Sequence, residues 1–382
     1  MQFIISFIKK DKTFSFLFIS ILILSLRNLF LPLQSDEITY LKISNNILSG
    51  RYYQTDYPSS VIPIIPFLMA FFSFKSIPFL GFALHKIFHI VLTILGFRFC
   101  YLTLSKFEID QKIIYCVILL TASSSTFISY LPSLYPEAVV FFTFWGFLYY
   151  FNEPKNISNF KRLFLLFVLL VFTRYVYAIL GLLLLIYYYS FIQNSKGDFW
   201  RLVLISLLLV SPLLFWFKYI SNIESQNLSE ISYFNRFKVG KNPLWYNIKC
   251  GLGLEKHYEV SRVNGIPAFI SLFLPITGVR NYLISLVLLL AVFFGLFQKI
   301  KNTIIFNLFL AFTLVILGFI LAGTGFSRYW LVLLPIIYLS YYLIYNKYFS
   351  NLKYFILISQ TISFILVLNE IRLTFLILKK VL

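Results

Sequence analysis

Residues 13–33 read TFSFLFISILILSLRNLFLPL, an almost uncharged stretch whose one ionised side chain is Arg27. About 20 apolar residues are enough to cross the hydrocarbon core of a bilayer, so this stretch predicts one transmembrane helix. Lysines precede it at positions 9, 10 and 12, and a positive flank is typical of the cytoplasmic end of a span. The run is too long for the core of a signal peptide, and no small-residue cleavage site follows it. We therefore expect a retained first span.

The rest of the chain repeats this pattern. Of the 382 residues, 60% are apolar and 12% are charged, which is about half the charged share of a typical soluble domain. A water-soluble fold cannot hide this much apolar side chain, so that class is excluded. Further apolar runs cover residues 61–82, 84–105, 113–131, 134–151, 162–192, 201–220, 266–298, 303–323, 329–346 and 353–378. The sequence predicts an all-α, polytopic membrane protein with about eleven spans.

The formal charge of +19 comes from basic residues scattered between the apolar runs, which argues against nucleic acid as a partner.

The Pro-rich segment 58–80 decides the orientation of the chain in the membrane, since it is either a kinked span or a helix at the outer surface. We compared loops on the assumption that it does not cross and that 162–192 forms two short spans turning at Arg174. The cytoplasmic side then holds Lys9, Lys10, Lys12, Lys106, Lys112, Lys155, Lys161, Arg162, Lys196, Arg201, Lys299, Lys301, Lys347 and Lys353. The short outer loops before the C-terminal tail hold only Arg174 and Arg328, as the positive-inside rule favours.

The chain is therefore predicted to be one transmembrane domain over 1–382, with a first outer loop at 34–83 and a second at 221–278. The first loop is expected to carry amphipathic helices on the outer face. The last crossing fits least well, because Arg372, Lys379 and Lys380 then lie outside. A multi-pass protein of a bacterial inner membrane, with its functional face outward, is the expected setting.

Metal-binding motifs are weak in this sequence. The three cysteines do not make a disulfide framework, and neither C-x-x-C nor H-E-x-x-H occurs. His85 and His89 lie four residues apart on one helix face, where packing and hydrogen bonding explain them better than a metal with no third ligand. The identity of any metal ligand stays unknown, and a divalent cation stays open as a cofactor.

An acidic pair, Asp36 and Glu37, follows the first span directly. One explanation is local: Ser35 caps a helix, and its dipole favours acids in the first turn. The other is chemical, since carboxylates at a membrane rim suit general-base work on a hydroxyl. Asp56, later in the same loop, is either a solvated loop residue or a ligand for acceptor hydroxyls or a divalent ion.

Three more charged residues stand at the predicted outer rim. Glu137 follows Pro136 and either starts a helix or contributes a carboxylate to an acceptor site. Arg174 and Arg328 either extend their charges to the interface from a span or hold an anionic group. Arginine suits phosphate because its planar fork donates two parallel hydrogen bonds. Tyr329 follows Arg328 directly and joins it as a candidate binding residue.

Four places in this sequence resemble the GT-C superfamily of integral-membrane glycosyltransferases, relatives of the protein O-mannosyltransferases and the lipid A aminoarabinose transferases. They are Asp36-Glu37 with Tyr40, Gly50, Tyr52-Tyr53 and the Tyr57 to Pro66 segment; Pro132 to Glu137; Phe172 to Tyr175; and Ser327 to Trp330 with Pro335. The similarity in layout covers most of residues 10–346. This chain has Pro58-Ser59 where family members often carry two prolines, and it lacks the large soluble C-terminal domain of some members.

The resemblance implies an inverting, single-displacement transfer of a sugar from a polyprenyl-phosphate-linked donor on the outer membrane face. The acceptor would be an envelope glycan, a lipid or a protein. The outer-loop acid would accept the acceptor's proton, and rim arginines would hold the donor phosphate. Only one of two adjacent helical residues can face a given cavity, and the resemblance favours Asp36 as this base. Glu37 would then orient a neighbouring loop or hydrogen-bond the acceptor. Membrane lipids are expected neighbours.

Other functions stay open at this point. A flippase or transporter of polysaccharide or lipid-linked glycan expects ionisable residues near mid-span and an internal repeat, which we do not find. A glycan polymerase or ligase does not require an acidic pair after the first span. A non-enzymatic assembly factor is the remaining class. Convergence of Asp36, Glu137, Arg174 and Arg328 on one outward cavity would favour the transferase.

The orientation can be tested by labelling from outside the cell. Because the basic residues sort to one side only if 58–80 stays outside, cysteines substituted at Ser49 and at Lys75 should both react with an impermeant maleimide. A cysteine substituted at Lys106 should react only after the cytoplasmic face is opened. Reaction of the Lys75 variant only after opening would show that the segment crosses, and the sidedness of every later loop would invert.

Overall fold

The protein is helical nearly throughout. The computed structural model describes residues 12–52, 61–74, 77–194, 196–226, 243–257, 262–274, 279–349 and 351–381. The helices are α1 (Lys12–Ser25), α2 (Asp36–Leu48), α3 (Ile64–Phe71), α4 (Pro78–Leu104), α5 (Gln111–Ser123), α6 (Ser125–Tyr130), α7 (Glu137–Phe151), α8 (Ile157–Thr173), α9 (Gly181–Asn194), α10 (Phe199–Gln226), α11 (Pro243–Leu252), α12 (Tyr282–Phe297), α13 (Thr303–Leu321), α14 (Leu334–Tyr348) and α15 (Leu352–Val381).

Shorter elements join these helices. The 3-10 segments are Leu26–Phe30, Tyr175–Leu180, Lys196–Asp198, Ile266–Leu272 and Ser327–Leu333. Two strands of two residues each, β1 (Lys256–His257) and β2 (Arg262–Val263), pair antiparallel in the second long loop. The all-α class predicted from the apolar runs is confirmed, and these strands are its one small exception among the described residues.

Seven helices in the described part of the chain are long and apolar enough to cross a membrane. They are Lys12–Phe30, Pro78–Leu104, Tyr175–Gln193, Phe199–Ile223, Thr303–Leu321, Ser327–Tyr348 and Leu352–Ile377. Three shorter apolar helices, Gln111–Ser123, Glu137–Phe151 and Tyr282–Phe297, lie among them. Such a set is consistent with an integral membrane protein. The figure of about eleven spans stays a prediction.

The first long loop, where helices were expected, holds α2 and α3, which pack against each other. At 1.5 Å per residue, the eight residues of α3 extend about 12 Å, too short to cross a bilayer core. The next helix begins with Pro78, a residue that suits the first helical position because its missing N–H would be unpaired there. Asp56 and Lys75 lie outside the described residues.

Helix boundaries differ from the apolar runs in two instructive places. The runs 61–82 and 84–105 are regrouped, because α4 starts at Pro78 and continues without a break to Leu104. The run 113–131 is interrupted at Ser124, whose backbone is non-helical. The run 162–192 turns at Arg174, as expected, where an extended backbone separates α8 from the next 3-10 segment. Hydropathy alone does not show which residue leaves the helical conformation.

Helix α7 is the centre of the fold. It packs against α4 on one side and α8 on the other, and Phe144, Trp145 and Phe147 are fully buried. A helix that is apolar around its whole circumference belongs in an interior. The close approach of α4 depends on Gly96, where a Cβ would lie 2.5 Å from the ring of Phe141. The first residue of this central helix is Glu137, so the core fixes where that carboxylate stands.

Helices α1 and α5 run in the same direction. The rings of Phe14 and Tyr115, both near the starts of their helices, are 5.4 Å apart. At the other end, the Asn28 amide donates to the carbonyl of Ile128, just past the end of α5, at 3.1 Å.

The last helix runs the same way. Ser363 of α15 contacts Ser123 at the end of α5, with their hydroxyl oxygens 3.2 Å apart. About two turns later, Glu370 pairs with Arg27 at 2.6 Å, near the far end of α1. This packing supports a last membrane crossing by α15, although the sequence alone indicated that this crossing is unfavourable for the basic residues of the C-terminal tail.

The Arg27–Glu370 pair ties the two ends of the chain together inside the helix bundle. The Glu370 side chain is fully buried, and that of Arg27 is 9% exposed. Arg27 also donates to the Glu370 carbonyl at 3.1 Å and to the Thr374 hydroxyl at 2.8 Å. Burying one partner of such a pair alone leaves an uncompensated charge, which costs far more than the pair itself contributes.

This asymmetry predicts the stability of three variants. Glu370→Leu should lower stability by about 3–5 kcal/mol because Arg27 loses its counter-charge. The double variant Arg27→Met/Glu370→Leu should recover most of that loss. Glu153→Ala removes a more exposed pair with Lys106, and should cost at most about 1 kcal/mol. Thermal unfolding in one detergent ranks them, and a double variant as unstable as the single one would contradict the pairing argument.

Candidate functional site

Four charged residues predicted to lie at the outer rim meet in space. Asp36 and Glu137 are the first residues of α2 and α7, and Arg174 stands at the break after α8. Arg328 is the second residue of the 3-10 segment Ser327–Leu333. All four therefore lie at ends of helices rather than within them. The dipoles of α2 and α7 favour the two acids at these N-terminal positions.

The arginines and acids form a continuous network. Arg174 donates to Glu137 Oε1 at 2.6 Å, and Arg328 donates to Asp36 Oδ2 at 2.5 Å. Arg328 Nε lies 3.6 Å from the same Glu137 oxygen, so this guanidinium bridges the two acids. Exposure of the side chains increases across the network. The exposed fraction is 4% for Glu137, 13% for Arg174, 16% for Arg328 and 40% for Asp36. Asp36 is thus the carboxylate at the open edge.

Aromatic rings cover the guanidinium groups. The Arg174 guanidinium carbon is 3.8 Å from the centre of the Tyr329 ring, and that of Arg328 is 4.6 Å from the Tyr135 ring. Cation–π contacts are worth more when water is excluded, as here. Burial raises the pKa of the Tyr135 phenol to about 12, with Arg328 opposing and Asp36 adding to the shift. Tyr135 therefore keeps its proton, and it donates to the Gln34 carbonyl at 3.2 Å.

The segment that carries Arg328 is held from two sides. The indole of Trp145 in α7 donates to the Val332 carbonyl at 3.1 Å, and that of Trp330 donates to the Gly325 carbonyl at 3.0 Å. Gly325 has φ +139°, and a Cβ there would lie 2.7 Å from the Gly265 Cα. Glycine is required because both the conformation and the backbone contact exclude a side chain. The loop before Arg328 is thereby fixed against the second long loop.

Glu37 has a different role from its neighbour. Its side chain is 4% exposed, and its two oxygens accept from the backbone N–H groups of Leu134 and Gln34, each at 2.8 Å. It therefore joins the start of α2 to the turn 131–136 and does not contact the arginines. The sequence led us to expect that Glu37 either orients a neighbouring loop or contacts the acceptor, and these contacts are of the first kind.

Two groups from the neighbouring α4 support the same region. His89 Nδ1 lies 2.6 Å from the Ser133 carbonyl, which gives the turn 131–136 a second contact besides that with Glu37. The buried ammonium of Lys86 donates to the carbonyls of Asn28 and Leu31 at 2.7 and 2.9 Å. The sequence explained His85 and His89 by packing and hydrogen bonding. The structure agrees for His89, and the His85 ring stacks on Phe72 with its centre 5.1 Å away.

A small cavity lies beneath the network, lined by Glu137, Val140, Arg174, Tyr177, Arg328, Tyr329, Leu331 and Val332. The second oxygen of Glu137 and the hydroxyl of Tyr177 are buried without hydrogen-bond partners. Most buried polar atoms in proteins are hydrogen-bonded, so two unpaired ones at the wall of one cavity call for a partner there. The inner side of the network is therefore able to accept one more hydrogen-bonding group.

Sequence reasoning brought Asp36, Glu137, Arg174, Arg328 and Tyr329 to one place, but it missed their supports. Tyr135 stood in a quoted motif without a role, and Lys86 and Tyr177 were not singled out. A lysine within an apolar run is itself a signal, because such a charge is buried only with partners. For Asp56 no position is described. Within the described ranges, no group of three metal-ligating side chains gathers, and the metal prediction stays open.

Comparison with known proteins returned no matching family model, no significantly similar curated protein and no similar solved structure.

The buttressing role of Glu37 has a direct test. Glu37→Ala leaves two buried N–H groups unpaired, and each hydrogen bond to a charged group is worth about 1.5–3 kcal/mol. The variant should unfold at a clearly lower temperature, and amide exchange at Leu134 should accelerate. Asp36→Asn is the matched control on the same helix, and it should leave Leu134 exchange unchanged. Equal exchange at Leu134 in the wild type and in Glu37→Ala would exclude this role.

Proposed function

We propose that this protein is an inverting, GT-C-type glycosyltransferase that moves a sugar from a polyprenyl-phosphate-linked donor to an acceptor hydroxyl. The observation that carries the proposal is the bridging position of Arg328, between the half-exposed Asp36 and the buried Glu137. A fixed cation beside a reachable carboxylate is what phosphate departure and hydroxyl activation need in one place.

The leaving group explains the two arginines. When the bond between the anomeric carbon and the phosphate oxygen breaks, negative charge grows on that oxygen. Guanidinium groups held in advance stabilise this charge without reorganising, and they do so best where water is scarce. Arg174 and Arg328 are both mostly buried and both fixed by Glu137. Glu137 therefore orients the phosphate-binding groups, and its unpaired oxygen and Tyr329 complete the wall of the site.

A groove beside Arg174 suits the lipid part of the donor. It measures about 390 Å³ and is lined by Pro63, Ile64, Phe67, Phe172, Pro212, Phe215, Trp216 and Tyr219. Phe172 lies two residues before Arg174, and the Trp216 indole donates to the hydroxyl of Tyr175, the residue after it. An isoprenoid chain in this groove would bring its phosphate towards the arginines. Apolar contact supplies affinity, and the charges supply position.

Asp36 is the proposed general base. The acceptor hydroxyl oxygen attacks the anomeric carbon from the face opposite the phosphate, its proton passes to an Asp36 carboxylate oxygen, and the polyprenyl phosphate departs. Configuration inverts because there is a single displacement. Asp36 is the most exposed acid of the network, so it is the one that an acceptor can reach. The acceptor class stays open among envelope glycan, lipid and protein.

The ion pair between Asp36 and Arg328 links the two halves of the reaction. While Arg328 donates to Asp36, one oxygen of that carboxylate is occupied by the guanidinium. A donor phosphate competes for the same guanidinium and would release Asp36. The base would then be free mainly when donor is bound, which limits unproductive proton transfer.

The setting completes the proposal: about eleven spans, a bacterial inner membrane and a site facing outward. The positive-inside pattern and the location of the four charges at helix ends support this orientation. A transporter of lipid-linked glycan remains the other candidate, and the experiment below separates the two.

The test is single-turnover sugar transfer from a synthetic polyprenyl-phosphate donor by purified protein. Asp36→Asn keeps the shape and removes the base, so turnover should fall by about 10²–10⁴-fold while donor binding persists. The matched control is Asp110→Asn, which replaces an exposed helix cap at the start of α5 and should transfer normally. Arg328→Lys should weaken donor binding, because a point charge replaces a planar fork.

Three outcomes contradict the proposal. Full turnover in Asp36→Asn would remove Asp36 as the base, and normal donor affinity in Arg328→Lys would remove Arg328 from the phosphate site. Donor movement across proteoliposomes without any sugar transfer would favour the transporter.

A further inference from the structure

A run of hydroxyl residues interrupts the helix bundle between α5 and α6. The backbone leaves the helical conformation at Ser124, and a break inside an apolar bundle exposes polar backbone groups that need partners. Most hydroxyls nearby bond to carbonyls: Thr121 to Val117, Ser123 to Leu120, Ser124 to Leu272 and Thr126 to Ser271. The break is thus compensated by side chains, with one exception.

Ser125 is that exception. It is 5% exposed, and its hydroxyl has no hydrogen-bond partner. A buried hydroxyl without a partner is expensive in an apolar surrounding, and its neighbours show that partners are available in this segment. The hydroxyl lies instead at the wall of a cavity.

The cavity measures about 340 Å³, a volume typical of a site for a small molecule. It is lined by Leu120, Ser124, Ser125, Leu272, Phe273, Leu274, Tyr338, Tyr341, Phe355, Ile358, Ser359, Ile362 and Leu366. Apolar side chains dominate this wall, and the polar groups are a few serine and tyrosine hydroxyls. Such a space favours an apolar body that carries one or two hydrogen-bonding groups.

The cavity opens at the surface of the helix bundle that faces the lipid. Ile358 and Ile362, on its α15 side, are 49% and 44% exposed. Leu272, on the opposite wall, is 2% exposed. The space therefore leads inward from a half-exposed rim to a closed wall, so a ligand would enter sideways between α15 and the core.

We propose that this cavity binds one hydrocarbon chain of a membrane glycerolipid, with an ester carbonyl of that lipid accepting from the Ser125 hydroxyl. An unfilled space of this size would sacrifice dispersion contacts along its whole wall, and lipid chains are the apolar molecules at hand in a bilayer. Ser125 lies about one and a half turns from the end of α6, near the end of the bundle that carries the charged network. That depth suits a lipid ester better than the middle of a bilayer does.

The bound lipid also has a structural consequence. Leu272 ends the 3-10 segment Ile266–Leu272, which packs on the segment Ser327–Leu333 through Phe269 and Trp330, whose rings are 5.1 Å apart. A lipid in contact with Leu272 supports the segment Ile266–Leu272, on which the segment that carries Arg328 packs. This lipid site does not depend on the proposed transferase activity, and its test needs no sugar donor.

The test uses purified full-length protein in nanodiscs of phosphatidylethanolamine and phosphatidylglycerol that contain a phospholipid with a diazirine in its acyl chain. After irradiation, labelled residues are mapped by mass spectrometry. Label on Leu272 reports the cavity, because bulk lipid cannot reach a side chain that is 2% exposed. Label on Leu357, which is 59% exposed, serves as the internal reference for bulk lipid. The wild type should carry both.

Two isoleucines of α15 give a matched pair of variants. Ile362→Trp fills the cavity and should abolish the Leu272 label, whereas Ile365→Trp alters a residue outside the lining and should leave it intact. Ser125→Ala should reduce the ratio of Leu272 to Leu357 label by roughly two- to tenfold, the effect of one lost hydrogen bond. Because Ser125→Ala creates no clash, it tests the site even if the tryptophan variant fails to fold.

The proposal fails if Leu272 is unlabelled in the wild type, which would indicate a hydrated cavity only. It also fails if the Leu272 label is the same in a folded Ile362→Trp protein. An unchanged ratio in Ser125→Ala would remove the hydroxyl from the site.

Discussion

The contact of Arg328 with both Asp36 and Glu137 is the constraint on which the rest of this site depends. A guanidinium that is 16% exposed must have its charge met nearby, and here the counter-charges come from the starts of α2 and α7. Because ion pairs of this kind tolerate little change in geometry, the segments that carry these residues are fixed relative to one another. Arg174 joins the same balance through Glu137. For this site, the apolar core is needed to hold α7, the helix that begins at Glu137, in position.

Around that contact, hydrogen bonds from side chains to backbone groups set the positions of the charged side chains. The turn 131–136 is held by contacts with both Glu37 and His89, and it carries Tyr135 against Arg328. Trp145 fixes the segment of Arg328 from within the core. A reactive group is useful only when its own rotamer is fixed by such neighbours. This explains why a region at the end of a helical bundle contains so many hydrogen bonds from buried side chains to backbone.

The sequence predicted the helical class and the turn at Arg174, and it assigned the scarce charges to the outer rim as candidate site residues. These follow from one cause: ionised groups are costly in hydrocarbon, so the few that occur near spans mark ends, partners or sites. Different roles for Asp36 and Glu37 also follow from the sequence, because adjacent residues on a helix point about 100° apart. The partners of Glu37, the backbone N–H groups of Leu134 and Gln34, do not follow from it. The pairing of Arg27 with Glu370 was equally hidden, since no periodic pattern links residues at opposite ends of a chain. The start of α4 at Pro78 was missed because hydropathy is continuous across it.

Charge balance gives a further reason for the proposed roles. Among the described residues, the network and its supports comprise three acids, Asp36, Glu37 and Glu137, and three cations, Lys86, Arg174 and Arg328, so their formal charges cancel before donor binds. A sugar phosphodiester adds one negative charge, and the departing phosphate monoester carries nearly one more. In a site with little water, an uncompensated unit of charge is costly, and the cost rises as the dielectric falls. The proton that Asp36 takes from the acceptor cancels the charge gained by the phosphate, so the net charge stays constant along the proposed reaction. An acid at this position is therefore needed for electrostatic balance as well as for proton transfer, and an amide in its place would lose both.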